Sequence, residues 1–424
     1  MKVVCARDTY DFATAKPDLG VTLFGSAAVA GRGSVGATLR NSIHRAGYEP
    51  SARALDFLSI ALSVVASDVG VSRSKSPDGW TREIDLHVAV SEPEFWETLS
   101  GTLEQALRFL TTDRWTVSFI HDPSPMPAPK NLVRPDEDCV VLLSGGLDSL
   151  IGAIDLVSGG SRPWAVSQTS QGDKATQQRF AKEVGSGLRH LQLNHNANCP
   201  GENERSQRAR SIAFFAYGIA AATSLERYAA GDSVTMYVCE NGFISLNPPL
   251  TGGRLGALST RTTHPFFIGL LQRILDVSGI RVSLENPYQL TTKGEMLANC
   301  TDQTLLRQLA ASSTSCGRFA RNGYRHCGRC LPCLIRRASF NTASLTDGTY
   351  YRYEQLSLKD KNHALYDDVR SAAIAVAAMN EVGAKSWVGS SISTAQVGDV
   401  APYVDVVRRG VTELGDFLSE VGVV

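Results

Sequence analysis

Apolar positions along this chain fall into two rhythms. Over 54–71, ALDFLSIALSVVASDVGV, they recur at helical spacing, whereas WTREIDLHVAV (80–90) alternates like a half-buried strand. EPEFWETLSGTLEQALRFLTT (92–112) carries one apolar face and predicts an amphipathic helix, and RWTVSFI (114–120) predicts a strand after it. Residues 1–122 therefore predict a separate N-terminal α+β domain, suited to recognising a partner or substrate. HDPSPMPAPKNLVRPDEDC (121–139) holds five prolines, which remove backbone donors and predict a linker over 123–138. From 139 onward strands alternate with helices. The strands are expected at 139–143, 163–169, 190–194, 234–240 and 280–284. The helices are expected at 147–157, 173–185, 204–227 and 264–277. Apolar strands separated by helices imply a parallel sheet covered on both faces, hence an α/β fold. The tail, 341–424, contains two helical stretches, DVRSAAIAVAAMNEV and YVDVVRRGVTELGDFLSEV.

Composition narrows the picture. The 42 basic residues are matched by 42 acidic ones, so no global basic field suits nucleic acid, and direct nucleic-acid binding is not expected. No run of about 18 apolar residues predicts a membrane span, and MKVVCARDTYDF lacks the apolar core of a signal peptide. The expectation is a cytoplasmic protein. Of nine cysteines, Cys5, Cys139, Cys199, Cys239 and Cys300 are scattered and read as small buried apolar residues. Cys199 has no activating partner in the sequence. The other four crowd between Cys316 and Cys333, a pattern that points to metal in a reducing compartment.

The densest chemistry lies in VVLLSGGLDSLIGAIDLV (140–157), where Ser144-Gly145-Gly146-Leu147-Asp148-Ser149 joins a strand to a helix. Two glycines let the backbone bend and approach a ligand, and the helix start presents unpaired N–H groups. Serine hydroxyls complete a cradle for an oxygen-rich anion such as pyrophosphate. Asp148 fits beside an anion if it binds Mg²⁺ or if it orders the loop. No Lys-Ser/Thr pair follows, so this is not the common ATP loop. GRGSVG (31–36) fits a dinucleotide pattern but lacks its βαβ context, and no dinucleotide site is expected there.

SCGRFARNGYRHCGRCLPCLIRR (315–337) spaces Cys316, Cys327, Cys330 and Cys333 for a closed tetrahedral Zn²⁺ site, with an iron–sulfur cluster as the rival. Arg336 and Arg337 either approach phosphates or face solvent. Glu240-Asn241-Gly242 follows the fourth strand of the sheet and forms either a substrate wall or a capped loop. In STRTTHPFF (259–267), Arg261 could meet a substrate carboxylate or phosphate, while His264 either contacts substrate or caps the helix that Pro265 begins.

SGGLDS resembles the pyrophosphate motif of the PP-loop ATP-pyrophosphatase superfamily, whose members activate a substrate oxygen with AMP. Joined to a C-terminal Cys…CGxCxxC cluster, it resembles 7-cyano-7-deazaguanine synthase, a QueC-like enzyme, over 139–340. The resemblance implies a Rossmann-like PP-loop sheet with a zinc region at 316–333. It also implies ATP and Mg²⁺ at Ser144, Gly145, Gly146, Leu147, Asp148, Ser149 and Arg210, with Zn²⁺ on the four cysteines. TTKGEM (291–296) matches the family's Lys-x-Glu segment and makes Lys293 a catalytic candidate beside Asp148 and Arg261. The first cysteine gap is long, Arg210-Ser211 stands where the family has Arg-Asn, and ENGFISLNPPL (240–250) replaces its substrate loop. The added terminal regions resemble the long QueC-like subunits of bacterial anti-phage operons, notably the Qat system. That implies a 7-deazaguanine carboxylate as substrate and an amine acceptor, either ammonia or a group on an operon partner protein. A housekeeping-type synthase and a non-catalytic nucleotide scaffold are the alternatives.

Overall fold

The structure, a computed structural model, describes residues 1–26, 29–122, 128–169, 172–250, 261–357, 367–392 and 399–424. Two five-stranded sheets organise it. The first contains β1 (Lys2–Ala6), β2 (Leu19–Leu23), β3 (Gly33–Val35), β4 (Glu83–Val90) and β5 (Arg114–His121), in the order β3-β2-β1-β4-β5. All four pairings are parallel; Val3, for instance, stands opposite Leu19 on one side and Leu86 on the other. The expected α+β unit is therefore a parallel α/β unit. The difference arises in β1–β3, which are short and almost wholly buried. Strands buried on both faces show no period-2 alternation and read as plain apolar runs.

Two helices of this unit pack against the second sheet's helices, α1 (Ala52–Gly70) and α2 (Ser100–Thr111). The single helix expected over 92–112 is broken, a short helix Pro93–Glu97 preceding α2. At the break Thr98 Oγ1 donates to the Phe95 carbonyl at 2.6 Å and Ser100 Oγ to that of Glu97 at 2.9 Å. Such local side-chain bonds compete with the helical ladder.

The second sheet contains β6 (Cys139–Leu142), β7 (Pro163–Gln168), β8 (His190–Leu193), β9 (Val234–Tyr237) and β10 (Val282–Glu285), in the order β10-β9-β6-β7-β8, again all parallel. Four of these strands fall within their expected ranges, and β10 ends one residue beyond its own. The connecting helices are α3 (Leu147–Ser158), α4 (Lys174–Glu183), α5 (Arg210–Ala222) and α6 (Pro265–Val277), and α7 (Lys293–Asn299) follows β10. The C-terminal part adds α8 (Leu331–Thr342), α9 (Asp367–Val382), a short helix Ala384–Ile392 and α10 (Ala401–Glu420). These helices share a separate apolar core through Leu334, Val376, Val406, Leu414 and Leu418.

One apolar core runs through both sheets, from Val3, Val21 and Leu86 across Phe57, Ile60 and Val64 of α1 to Phe215 and Ile219 of α5 and on to Val140. The linker segment is docked rather than free: the Val133 N–H donates to the Gly47 carbonyl at 2.8 Å and the Pro135 carbonyl accepts from Glu226 N at 2.9 Å. Residues 123–127 of that segment lie outside the described residues. A buried polar joint reinforces the core. Asp68, at the end of α1, accepts from Arg82 Nη2 at 2.6 Å with one oxygen. Its other oxygen accepts the N–H groups of Arg208 and Ala209 at 2.6 and 2.7 Å, capping α5 from the opposite sheet. This is why the helix expected from 204 begins only at Arg210. Arg82 continues to Asp113, which also holds Arg73.

Among the described residues no helix is long and apolar enough to cross a membrane. Because the core is continuous, chemical denaturation is expected to unfold both sheets in one transition. Asp68→Ala leaves Arg82 buried without one of its carboxylates, and a loss of about 3–5 kcal/mol is expected in that transition.

Candidate active site and metal centre

In the second sheet the winding reverses between β6 and β9, and in parallel sheets that gap at the carboxyl edge is where ligands bind. The turn Ser144–Gly146 leaves β6 at this edge and starts α3. Gly145 has φ +86°, a left-handed conformation that favours glycine. The turn is braced from within. Ser149 Oγ accepts from the Ser144 N–H at 3.2 Å, donates to the Gly146 carbonyl at 3.0 Å and lies 3.0 Å from Ser144 Oγ. Gln177 Nε2 donates to the Ser144 carbonyl at 3.2 Å, and the Thr314 N–H to the Gly145 carbonyl at 2.9 Å. The two serines thus preorganise the turn from which α3 starts.

Asp148, in the first turn of α3, is buried and fully engaged. It pairs with the Lys293 ammonium, and its second oxygen accepts from Asn241 Nδ2 at 2.6 Å and Asn241 N at 3.2 Å. Asn241 in turn caps the short helix Gly242–Ser245, its Oδ1 accepting from Ile244 N at 3.0 Å. A side chain at Gly242 would run into the Gln289 backbone. Lys293 opens α7 behind a capping box in which Thr292 and Glu295 exchange hydrogen bonds.

Both wall segments rest on α10. Glu413 accepts from Thr292 Oγ1 and from the Gly294 N–H, and a Cβ at Gly294 would strike its carboxylate. Arg409 pairs with Glu295 and donates to the Leu290 carbonyl at 2.9 Å. Gly410 admits the ring of Phe243 against the helix backbone. Sequence reasoning missed Glu413 and Arg409; only the Thr292-x-x-Glu295 capping pattern signalled that this helix start is a fixed point. Burial pushes Glu413 up to about 7.

Ser144, Asp148, Ser149, Glu240 and Lys293 line a cavity of about 290 Å³, closed opposite by Thr314, Ser315, Pro332 and Ile335. A cavity of about 700 Å³ shares Ser144, Gly146 and Thr314 with it and is walled by Gln168, Asn194, His195, Arg205 and Arg210. Burial and the charge of Arg210 push His195 down to about 4, so it is neutral at pH 7. The glycine turn divides the two cavities. Arg261 and His264 join neither. Arg261 lies over the Phe109 ring at 5.0 Å, and His264 caps α6, its Nδ1 accepting from the Phe266 N–H at 3.2 Å, with its ring 4.9 Å from Phe109. Both side chains pack against Phe109, on α2 of the first sheet. Ser259 and Thr260 lie outside the described residues. Arg336 does not face solvent. It is buried and donates to Ser313 Oγ, the Ala310 carbonyl and Thr349 Oγ1 at 2.7, 2.7 and 2.8 Å. Arg337 donates to the Glu354 carbonyl at 2.7 Å.

The four clustered cysteines are buried, with their sulfurs within 4.8 Å of one another. Cys316 and Cys330 stand 3.8 Å apart, Cys327 and Cys333 4.0 Å. Metal–sulfur bonds of about 2.3 Å in a tetrahedron require sulfur separations of about 3.8 Å. The set therefore fits a metal ion such as zinc, with all positions filled by protein. Hydrogen bonding from Cys316 pulls the Cys327 thiol far down and pushes Cys330 and Cys333 up. Backbone N–H groups of Arg318, Cys327 and Cys330 point at sulfur at 3.2–3.4 Å. Gly328, φ +84°, brings the chain against the Tyr353 carbonyl. The knuckle reaches the cavity through Thr314 and Ser315, which precede Cys316, and His326 Nε2 accepts from the Ser315 N–H at 3.1 Å. The five scattered cysteines are all buried, and burial raises Cys199 to about 11, consistent with a structural thiol.

Chelation should strip one metal ion per chain and lower the melting temperature, read by elemental analysis and thermal melts. An unchanged melting temperature in the stripped protein would mean that the knuckle holds its shape without metal. The Glu413 carboxyl, raised from 4.5 to about 7 in the fold, contributes stability below about pH 4.5 that is lost as pH rises through 7. Glu413→Gln is expected to gain on the wild type between pH 5 and 8, by roughly 3 kcal/mol at most, in denaturation measured across that range. No protein-family model matches the chain and a search of the curated proteins finds no relative, so its functional reading rests on its own residues.

Proposed function

We propose that the chain is a QueC-like, ATP-consuming enzyme of PP-loop type that activates the carboxylate of a 7-deazaguanine base and passes it to an amine. The observation that carries this reading is the SGGLDS turn at the β6/β9 gap, with Asp148 paired to Lys293 at the floor of a cavity. A carboxylate oxygen attacks the α-phosphorus of ATP and pyrophosphate leaves. The amine nitrogen then attacks the acyl carbon, AMP leaves with the bonding pair, and the nitrogen gives its proton to solvent.

Each residue has a role in that scheme. The larger cavity takes the nucleotide, with Arg210 beside its phosphates and the N-terminus of α3 facing the pyrophosphate. Lys293 balances the charge that grows at the α-phosphate, and Asp148 holds the ammonium in place. Glu240 accepts from the paired N–H donors of the base in the smaller cavity. Mg²⁺, when bound, would neutralise phosphate charge, and Asp148, which lines that cavity, is the residue that would hold it. Zinc on the four cysteines is structural, since no position is left open. The long form supports a place in an anti-phage system, with an amine of an operon partner as acceptor in a cytoplasmic reaction. One observation favours a second reading. Asp148 is already satisfied by protein groups, as it would be in a non-catalytic nucleotide scaffold.

The test combines the protein with Mg-ATP and 7-carboxy-7-deazaguanine, with and without ammonium or the operon partner, and follows AMP and products by mass spectrometry. Substrate-dependent AMP is expected, with product advancing only when the partner is added. A nitrile or amide formed from ammonium would make it a small-molecule synthase, and no substrate-dependent AMP would end the deazaguanine reading. Lys293→Ala is expected to lower AMP formation about 100-fold or more. Asp148→Asn that retained full biological function would leave the scaffold.

A further inference from the structure

The balanced charge that argues against nucleic acid for the whole chain conceals a local excess. From Cys316 to Arg352 the sequence holds seven arginines, no lysine and one acidic residue, Asp347, against 42 basic and 42 acidic residues overall. Several of these arginines are engaged within the protein. Arg336 is buried, Arg337 donates to the Gly328 and Glu354 carbonyls, Arg329 stacks on Tyr353 at 3.9 Å and Arg318 pairs with Asp368 at 3.4 Å. Arg321, Arg325 and Arg352 stay exposed. Asp347 is turned away from them: it accepts from Tyr351 Oη at 2.6 Å and from Thr349 N at 3.1 Å, and Arg336 stands 3.8 Å from it.

Two short extended segments of the knuckle display these cations together with aromatic rings. Tyr351 forms a parallel bridge with His326, the Arg352 N–H donates to the His326 carbonyl at 2.9 Å and the Tyr353 N–H to that of Cys327 at 3.1 Å. Side chains alternate between the two faces of an extended segment. Tyr351 therefore turns inward onto the cysteine cluster, while Tyr350 and Arg352 turn outward. On the neighbouring segment His326 is buried and Tyr324 and Arg325 are exposed. Tyr350 keeps 63% of its surface and Tyr324 40%, the latter at φ +59°, a conformation tyrosine seldom adopts. Both segments line an open cavity of about 630 Å³ through Phe319, Tyr324, Arg325, Thr349 and Tyr350, and no carboxylate lines it. Ser312 closes one side, and Arg179 of α4 reaches that rim by donating to Ser312 Oγ at 2.6 Å.

An acidic peptide would satisfy the arginines and leave the rings uncovered. A duplex keeps its bases stacked inside. A single strand offers phosphates to the cations and free base faces to the rings. We propose that this face of the cysteine knuckle binds single-stranded nucleic acid, with a base in the cavity against Tyr324 and Tyr350 and the adjoining phosphates on Arg321, Arg325 and Arg352. The cavity shares no lining residue with the two at the glycine turn, and the proposal does not depend on the deazaguanine reading.

Labelled single strands of DNA and of RNA, about 12 nucleotides long, are titrated into the full chain at several salt concentrations and followed by fluorescence anisotropy. At least one of them is expected to bind, more tightly than the same sequence as a duplex and more weakly as salt rises. Tyr350→Ala should weaken binding about tenfold by removing a stacking face. Arg325→Gln combined with Arg352→Gln should weaken it too, and should flatten the dependence of log affinity on log salt by about 0.7 for each arginine. These side chains are exposed, so the melting temperature and metal content of the variants should match the wild type. The proposal is overturned if neither strand binds, if Tyr350→Ala binds as the wild type does, or if the duplex binds as tightly as the single strand. Polyglutamate binding as tightly as the strand would also overturn it and make the face a dock for an acidic protein.

Discussion

Asp148 is the point on which the second sheet turns. A buried carboxylate is tolerated only when opposite charge and hydrogen bonds replace the water it has lost. Here three separate chain segments are drawn in to meet that demand: the first turn of α3 supplies the acid, the segment after β9 supplies Asn241, and α7 supplies Lys293. The same contacts set the distance between the glycine turn and the wall opposite. Removing Lys293 would leave a buried charge uncompensated, so the cluster ties the geometry of the cavity to the stability of the fold.

The parts outside the sheet act on this cluster at one remove. Helix α10 reaches α7 through Glu413 and Arg409 and the Gly242–Ser245 helix through the packing of Phe243 on Gly410. The C-terminal region thereby holds both segments that hold Asp148. The cysteine knuckle works from the opposite side. Thr314 bonds to Gly145 and Ser315 to His326, so a metal ion that fixes Cys316 also fixes the far wall of the cavity. A closed thiolate site far from any reacting atom can still govern binding when its neighbours in sequence form that wall.

The two sheets are built alike and joined by more than apolar contact. Asp68 caps α5 from the end of α1, which fixes where α5 begins and so where Arg210 stands in the larger cavity. Phe109 reaches across to pack against Arg261 and His264 beside the second sheet. The first unit therefore shapes the second sheet's surface as well as packing against it.

The sequence by itself determined the parts governed by local order. The five strands and four connecting helices of the second sheet were legible from hydrophobic period, the turn at 144–149 from its glycines and its place between strand and helix, and the four cysteines from their spacing. In each case the signal and the structure lie within a few residues of each other. Tertiary structure decided what depends on contacts between distant segments. β1–β3 were hidden because strands buried on both faces carry no alternation. The start of α5 was set by Asp68, about 140 residues earlier in the chain. Lys293 and Asp148 were each visible as candidates, yet their pairing, like the roles of Glu413, Arg409 and Phe109, follows from packing. Burial decides which charges must find partners, and only the folded chain fixes which partners are within reach.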